Sequence, residues 1–290
     1  MLTALVAAAA PLALLVIVLV LAQQAWPAIT HFGPGFLVTQ VWDPLHSRFG
    51  ALTFIFGTVI TAFLALALAL PIGVGAALFL AEPSRPQVRG AIGIGVELLA
   101  SIPSVVYGIW GLYVLAPWLY RHVELPLNER FSQVPVFSGT PRQTSILTAT
   151  VVLAVMVLPT LAAVSRDVIK AVPNGLREGA FALGSTWWET TWRVVLPAAR
   201  AGIFGAAVLA LGRALGETMA VTMVIGNRPE IQPSLFAPAY TLASVVANEF
   251  AEATGQLYSS ALIELGLVLV LVTLTINLAA LLLVRRVAGE

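Results

Sequence analysis

The sequence predicts an all-α integral membrane protein with six transmembrane helices. Three observations lead there. Of 290 residues, 59% are apolar and only 10% are charged, against about 25% charged in soluble domains. The apolar residues fall in runs of about 20 or more, the length that crosses a hydrocarbon core about 30 Å thick. Those runs lack the strict alternation of a transmembrane β-barrel strand. A single soluble core has no room for so much apolar surface, and the mean hydropathy is +0.94. With no cysteine, there is no disulfide framework, thiolate nucleophile or cysteine metal site. A net charge of +1 supplies no field for nucleic acid. The medium to expect is membrane lipid.

The spans follow from the charge-free runs. No charged side chain precedes Asp43. The Leu/Val/Ile/Ala run from Pro11 to Gln23 lacks the basic start and cleavage site of a signal peptide, so it reads as a retained first helix over about 4–25. Arg48 to Glu82 encloses the second span, and Arg89 to Arg121 the third, interrupted by Glu97. Arg142 to Arg166 encloses the fourth. Arg200 to Arg228 encloses the fifth, over about 201–226, carrying Arg213 and Glu217. Glu252 to Arg285 encloses the sixth, with Glu264 near its start, where interfacial solvation is expected. Pro71-Ile72-Gly73 and Ile102-Pro103-Ser104 break hydrophobic runs, which membranes tolerate where protein or a water-lined cavity satisfies the freed backbone. The chain divides into residues 1–50, a first helix and external loop, and 51–285, the main bundle.

Orientation follows from basic residues in loops. With the N-terminus inside, Arg85, Arg89, Arg166, Lys170, Arg177, Arg193, Arg200, Arg285 and Arg286 are inside. Arg48, Arg121, Arg130, Arg142 and Arg228 are outside, and Arg213 is in the membrane. Both termini are therefore expected in the cytoplasm. The outer segments 26–50, 120–144 and 227–255 are rich in Pro, Gly and Trp, and Pro126–Gln143 reads as irregular loop. The long inner loop, 166–200, carries short helical patterns. Pro173-Asn174-Gly175 is a turn from which Asn174 caps a helix. Leu176, Ala180 and Leu183 share one face, and Gly184 stops the helix. Trp187, Trp188 and Trp192 suit the membrane–water boundary. Pro197 marks the entry to the fifth span. Two readings fit such a segment: a rigid surface for a soluble partner, or an interfacial helix with none.

The motifs narrow this choice. Glu178-Gly179-Ala180, then Gly184 after three intervening residues, then Val194-Val195-Leu196-Pro197 after nine more, resembles the EAA loop of ABC importer permeases. Gly179 stands where the family has its first alanine. By this resemblance the fold is of the type I ABC importer permease kind. Asn174–Leu183 is then a coupling helix for an ATPase subunit, with Asn174, Glu178, Gly179, Ala180, Gly184, Leu196 and Pro197 as its coupling residues. The stretch Glu97-Leu98-Leu99-Ala100-Ser101-Ile102-Pro103-Ser104-Val105-Val106-Tyr107-Gly108 resembles the third-helix signature of phosphate-specific permeases. Gly212-Arg213-Ala214-Leu215-Gly216-Glu217-Thr218-Met219-Ala220-Val221 resembles their fifth-helix signature, and Thr222-Met223-Val224-Ile225-Gly226-Asn227 their C-type subunit. The resemblance implies four partners in a bacterial plasma membrane: an A-type permease, two ATPase copies and an external phosphate-binding protein. A permease for another oxyanion, sulfate or molybdate, is the neighbouring alternative. A stand-alone secondary transporter would bring inverted repeats or several midplane acids, and neither is evident.

The chain has no machinery for ATP hydrolysis. A phosphate-cradling G-x-x-x-x-G-K-[ST] loop needs a lysine followed by Ser or Thr, and the single lysine, Lys170, precedes Ala171. This chain is thus expected to be no enzyme and to hold no cofactor, with ATP and Mg bound by the partner ATPase. His31, His46 and His122 lie far apart, in or beside outer loops, so no metal is expected. Ionisable residues at membrane depth cost about 2.5–3.5 kcal/mol each on the insertion scale and mark candidate sites. Arg213 presents a planar fork of donors suited to phosphate oxygens. Glu217, one helical turn on, is within reach. Either the two belong to an anion path, with Glu217 holding Arg213 between transport events, or they form a static pair that pins helix packing. Glu97 joins the candidate path or serves packing. Gly212 with Gly216, and Gly202 with Gly205, suit close helix approach.

Overall fold

The computed structural model describes residues 2–81 and 86–288. Arg85 lies outside the described residues, as do the side chains of Arg89, Arg285 and Arg286. The first long helices are α1 (Leu2–Phe32) and α2 (Leu52–Ala81). Next come α3 (Pro86–Ser101) and α4 (Ser104–Phe131), bent by 97° where they meet at Ile102-Pro103. Then follow α5 (Ile146–Lys170), the short α6 (Asn174–Ala182), α7 (Trp187–Leu215) and the short α8 (Met219–Val224). The chain continues through α9 (Leu242–Glu249) and ends in α10 (Gln256–Ala288). Among the described residues, five helices are long and apolar enough to cross a membrane, and the bent α3–α4 pair brings the count to six when taken as one broken span.

α5 is the axis of the bundle: 67% of its most apolar window is buried, against 11% for α1 and 6% for α10. α2 lies against it because α2 carries a stripe of small residues. Ala62, Ala65, Ala69 and Ala77 are fully buried, and Gly73 rests on the Leu161 side chain. Without a water-driven hydrophobic effect between helices, such close approach supplies the dispersion contact that holds them. α7 packs on α5 in antiparallel register, with Gly202 against Val168. Gly205 meets nothing comparable, so only the first of that glycine pair serves close packing. At one end, Trp42, Phe49, Phe54, Tyr240 and Tyr258 form an aromatic cluster. Glu249 latches it, accepting from Trp42 Nε1 at 2.8 Å and from the Tyr258 hydroxyl at 2.7 Å. This ties the segment after α1 to α9 and α10.

Several boundaries differ from the sequence reading. α1 runs on to Phe32, and residues 125–131 are helical where irregular loop was expected. Pro126 follows the wide π turn at Tyr120–Glu124, which accommodates its missing N–H inside α4. Pro71 does not interrupt α2. The helix of the fifth span begins at Trp187, not near 201. Thr186 and Glu189 form a capping box there. Pro197 is absorbed by a wide π turn over Thr191–Val195. Arg193 and Arg200 therefore lie on a helix rather than in a loop. Glu264, expected at a solvated interface, is 7% exposed. It borders an apolar groove between α1 and α10 with Leu14, Val18 and Leu271.

At Gly57 of α2, the backbone carbonyl of Tyr240 occupies the place a Cβ would take. Gly57→Val must displace that backbone. It is expected to cost about 1–3 kcal/mol, read as a fall of several degrees in the thermal midpoint of the purified chain. Gly205→Ala, which meets no atom, is expected not to lower that midpoint and to raise it slightly through the better helix propensity of alanine.

Candidate functional site

Two helix breaks meet beside the axis of the bundle. The first, at Ile102-Pro103, follows from proline chemistry. Pro103 has no N–H and restricts the residue before it, and its own backbone is extended at φ −60, ψ 142. The Tyr107 hydroxyl reaches back to donate to the Leu99 carbonyl at 2.7 Å, bracing the corner. No side chain caps the start of α4 at Ser104. The second break, Gly216-Glu217-Thr218, ends α7 and starts α8. Gly108 of α4 sits against Ala220 and Met223 of α8. Tyr107, Ala214, Leu215 and Ala220 share one buried cluster.

Arg213 lies in the last turn of α7, exposed on the surface of this chain. Gly202 meets Val168, and the Ser145 amide donates to the Val224 carbonyl. This antiparallel register sets Arg213 level with the middle of α5. Its guanidinium is near enough to Tyr107 to act on it electrostatically. The helix does not continue through Glu217, so Arg213 and Glu217 are not stacked on one face as a continuous helix would require. Among the described residues neither forms an ion pair. Glu217 Oε1 instead accepts from the Ala220 amide at 3.2 Å, which satisfies a donor at the start of α8.

Glu97 is brought to neither. It lines a separate cavity of about 250 Å³ with Arg166 and Lys170, toward the end where α6 lies. One buried carboxylate escaped the sequence reading. Glu124, on α4, is fully buried and accepts from the Ser145 hydroxyl at 2.7 Å. It was hidden because 120–144 read as loop. Its signal was its place one turn past Tyr120 on a continuing helical pattern.

α6 closes with a Schellman pattern: Gly184 N–H donates to the Phe181 carbonyl and Ser185 N–H to the Ala180 carbonyl. Gly184 has φ +86, the left-handed conformation glycine adopts freely. Asn174 does not cap the helix. Pro173 holds the capping position, with no side-chain hydrogen bond, and Asn174 is the first helical residue. Arg177 Nη2 donates to the Ile169 carbonyl at 3.0 Å, fastening α6 to the end of α5. Ala180 is buried, while Leu176, Phe181 and Leu183 are exposed. A Cβ at Gly175 or Gly179 would meet nothing within 4 Å. Leu196 and Pro197 follow the π turn, and Trp187, Trp188 and Trp192 are exposed beside it.

This arrangement defines a class: a polytopic helical bundle with broken helices at its midplane and a transverse helix at one end. The chain belongs to the binding-protein-dependent transport system inner membrane component family, whose pattern matches residues 69–289. It is 49% identical over 256 residues to the phosphate transport system permease protein PstC of Mesorhizobium japonicum, covering 87% of this chain and 78% of that one. It is 43% identical to the PstC protein of Haemophilus influenzae, over 98% of this chain and 91% of the relative. The fold resembles an inward-facing MetNI methionine ABC transporter, with a TM-score of 0.61 at 19% identity, covering 85% of this chain and 99% of that one. A bacterial alginate ABC transporter gives 0.59 at 18%, covering 91% and 86%.

A guanidinium at midplane depth faces protein or water rather than lipid. In a chain without native cysteine, Ser104→Cys and Arg213→Cys are expected to react with a charged, membrane-impermeant thiol reagent. Thr148→Cys, fully buried on α5, is expected to resist it. Labelling read by mass spectrometry checks both.

Proposed function

We propose that the chain is one permease subunit of an ATP-driven importer of inorganic phosphate, residing in a bacterial plasma membrane with both termini in the cytoplasm. The observation that carries this is Arg213: an exposed guanidinium, level with the middle of the bundle, beside two helix breaks and the uncapped start of α4. A dehydrating phosphate meets there a planar fork of donors and the positive end of a long helix. The relatives named for phosphate transport support the choice of ion.

The exposed face around Arg213 is closed by an A-type permease, so that the path runs between two chains. Glu217 attends the path by keeping the start of α8 in order. Binding at Arg213 stays weak, because a tight site would trap its ion. Glu97 attends the path from its inner side. An external phosphate-binding protein delivers the ion, and an ATPase pair, which holds the ATP and Mg, drives the cycle. This chain holds no cofactor. α6 is the coupling helix, with Glu178 and Gly179 in the ATPase groove, Leu176, Phe181 and Leu183 beside them, and Ala180 seating the helix on its own chain. Two glycines in one short helix cost about 1 kcal/mol each against alanine, and no contact among the described residues requires them. Their use lies with a surface that comes close from outside. ATP binding closes the ATPase pair, and different contacts with α6 in the two states shift the bundle between inward and outward access.

The test is labelled-phosphate uptake by phosphate-starved cells that lack their own copy of this subunit. The native chain is expected to restore uptake, and Arg213→Gln to lower it at least tenfold at equal membrane level. Unchanged uptake in Arg213→Gln removes Arg213 from the path. Uptake of sulfate or molybdate in place of phosphate moves the reading to those ions. On the coupling surface, Gly179→Leu is expected to leave membrane level intact and to reduce co-purification of the ATPase severalfold, with Gly179→Ala close to native.

A further inference from the structure

One flank of the bundle carries a groove that the transport path does not use. It runs between α1 and α10, the two least buried of the long helices, and measures about 500 Å³. The end of α1 lies next to the start of α10, because Phe32 meets Phe49 edge-on and Phe49 stacks on Tyr258. α1 lines the groove with Pro11, Leu14 and Val18, and α10 with Leu267, Leu271 and Leu274. The one polar lining residue is Glu264, at the end nearer the aromatic cluster. Glu264 is 7% exposed, and its buried Oε2 has no hydrogen-bond partner among the described residues. The side chains of α1 and α10 outside the described set lie beyond the groove's other end, before Pro11 and after Val284. Arg285 stands about six turns along the helix from Glu264.

Two dimensions say what fits. α10 has 33 residues and is about 50 Å long, against about 30 Å of hydrocarbon. Glu264, about two turns from Gln256, therefore stands near the hydrocarbon boundary and not at the midplane. From Glu264 to Leu274 the groove runs about 15 Å, the depth of one leaflet's hydrocarbon. An acyl chain lies along such a length with its headgroup level with Glu264. A partner helix about 10 Å across takes about 1,200 Å³ over that length, more than twice the groove, and so rests on its rim. A carboxyl group left without a donor in an apolar wall is costly, and a headgroup carrying charged N–H donors completes it.

We propose that this groove binds one phospholipid with a primary ammonium headgroup, of the phosphatidylethanolamine class. The ammonium donates to Glu264, and one acyl chain lies along Leu267, Leu271 and Leu274. The lipid then fastens α1 to α10 along their shared length. A trimethylated headgroup has the same net charge but no N–H to give. An anionic headgroup brings its phosphate with no cation between it and the carboxyl oxygens. The site is read by binding, so it stands independently of the ion that the importer carries.

The chain, purified with its partner subunits in a maltoside detergent and stripped of lipid, is offered phosphatidylethanolamine, phosphatidylcholine and phosphatidylglycerol of one acyl length. Bound lipid is counted by native mass spectrometry. Phosphatidylethanolamine is expected to be retained about fivefold over either of the others, the worth of one hydrogen bond. Glu264→Leu is expected to abolish that preference. Leu271→Trp, which fills the groove, is expected to lower retention of all three lipids, and Leu282→Trp, on the same helix outside the groove, to leave it unchanged. Equal retention of the three lipids by the native chain overturns the proposal, as does a preference that survives Glu264→Leu. Loss of a partner subunit from Leu271→Trp and not from Leu282→Trp, with lipid retention unchanged, gives the groove to a protein helix instead.

Discussion

A backbone carbonyl or amide freed inside a membrane has no water to turn to, and that constraint organises this bundle. Two helices are interrupted beside its axis, at Ile102-Pro103 and at Gly216–Thr218, and each interruption is repaired locally. Tyr107 returns its hydroxyl to Leu99, and Glu217 gives its carboxylate to Ala220. The repairs hold because Gly108 lets α4 and α8 approach to backbone contact, and because α2, α5 and α7 form a tight frame behind them. Irregular backbone is tolerated in this environment where it is buried in protein or lines a cavity. The breaks and the exposed Arg213 on the same side of the frame are two expressions of one requirement: that side is not a lipid surface.

The fold class was legible in the sequence because membrane solvation acts on composition and run length, and both are one-dimensional. The breaks were legible only as candidates. Pro71 and Pro103 look alike as residues, but Pro71 sits on the exposed face of α2, a helix held against α5 by its opposite, small-residue face, whereas Pro103 divides two helices bent by 97°. Tertiary support decided between them. Pro197 misled for a related reason: a proline inside a hydrophobic pattern reads as a boundary, and the π turn that accommodates it leaves no signature in composition.

Among the residues on one short element, Gly184 was the easiest to place: it stops α6 where the sequence put the stop, since α6 is local and its end is fixed by a glycine. The relation between Arg213 and Glu217 was misjudged because one-turn spacing implies a shared face only while the helix continues. Glu264 was misplaced because its position near the start of α10 suggested water, whereas the flanking α1 covers it. These errors share a cause. Sequence spacing gives distance along an element, and the chemistry here depends on where elements stop and what lies beside them.

The π turns carry a consequence beyond proline tolerance. α4 contains two, at Gly111–Leu115 and Tyr120–Glu124, and α7 contains one. Each holds one residue more than an α-helical turn would, so the side chains before and after it are out of phase by about a third of a revolution. α4 thus turns Gly108 toward α8 at one end and Glu124 toward Ser145 at the other, though a uniform helix would set them in a different rotational relation. The same wide turn stands between the tryptophan belt and the packed length of α7. The helices behave as verniers. A single residue gained or lost at a wide turn resets which face meets which neighbour, while the hydrogen-bond ladder on either side stays whole.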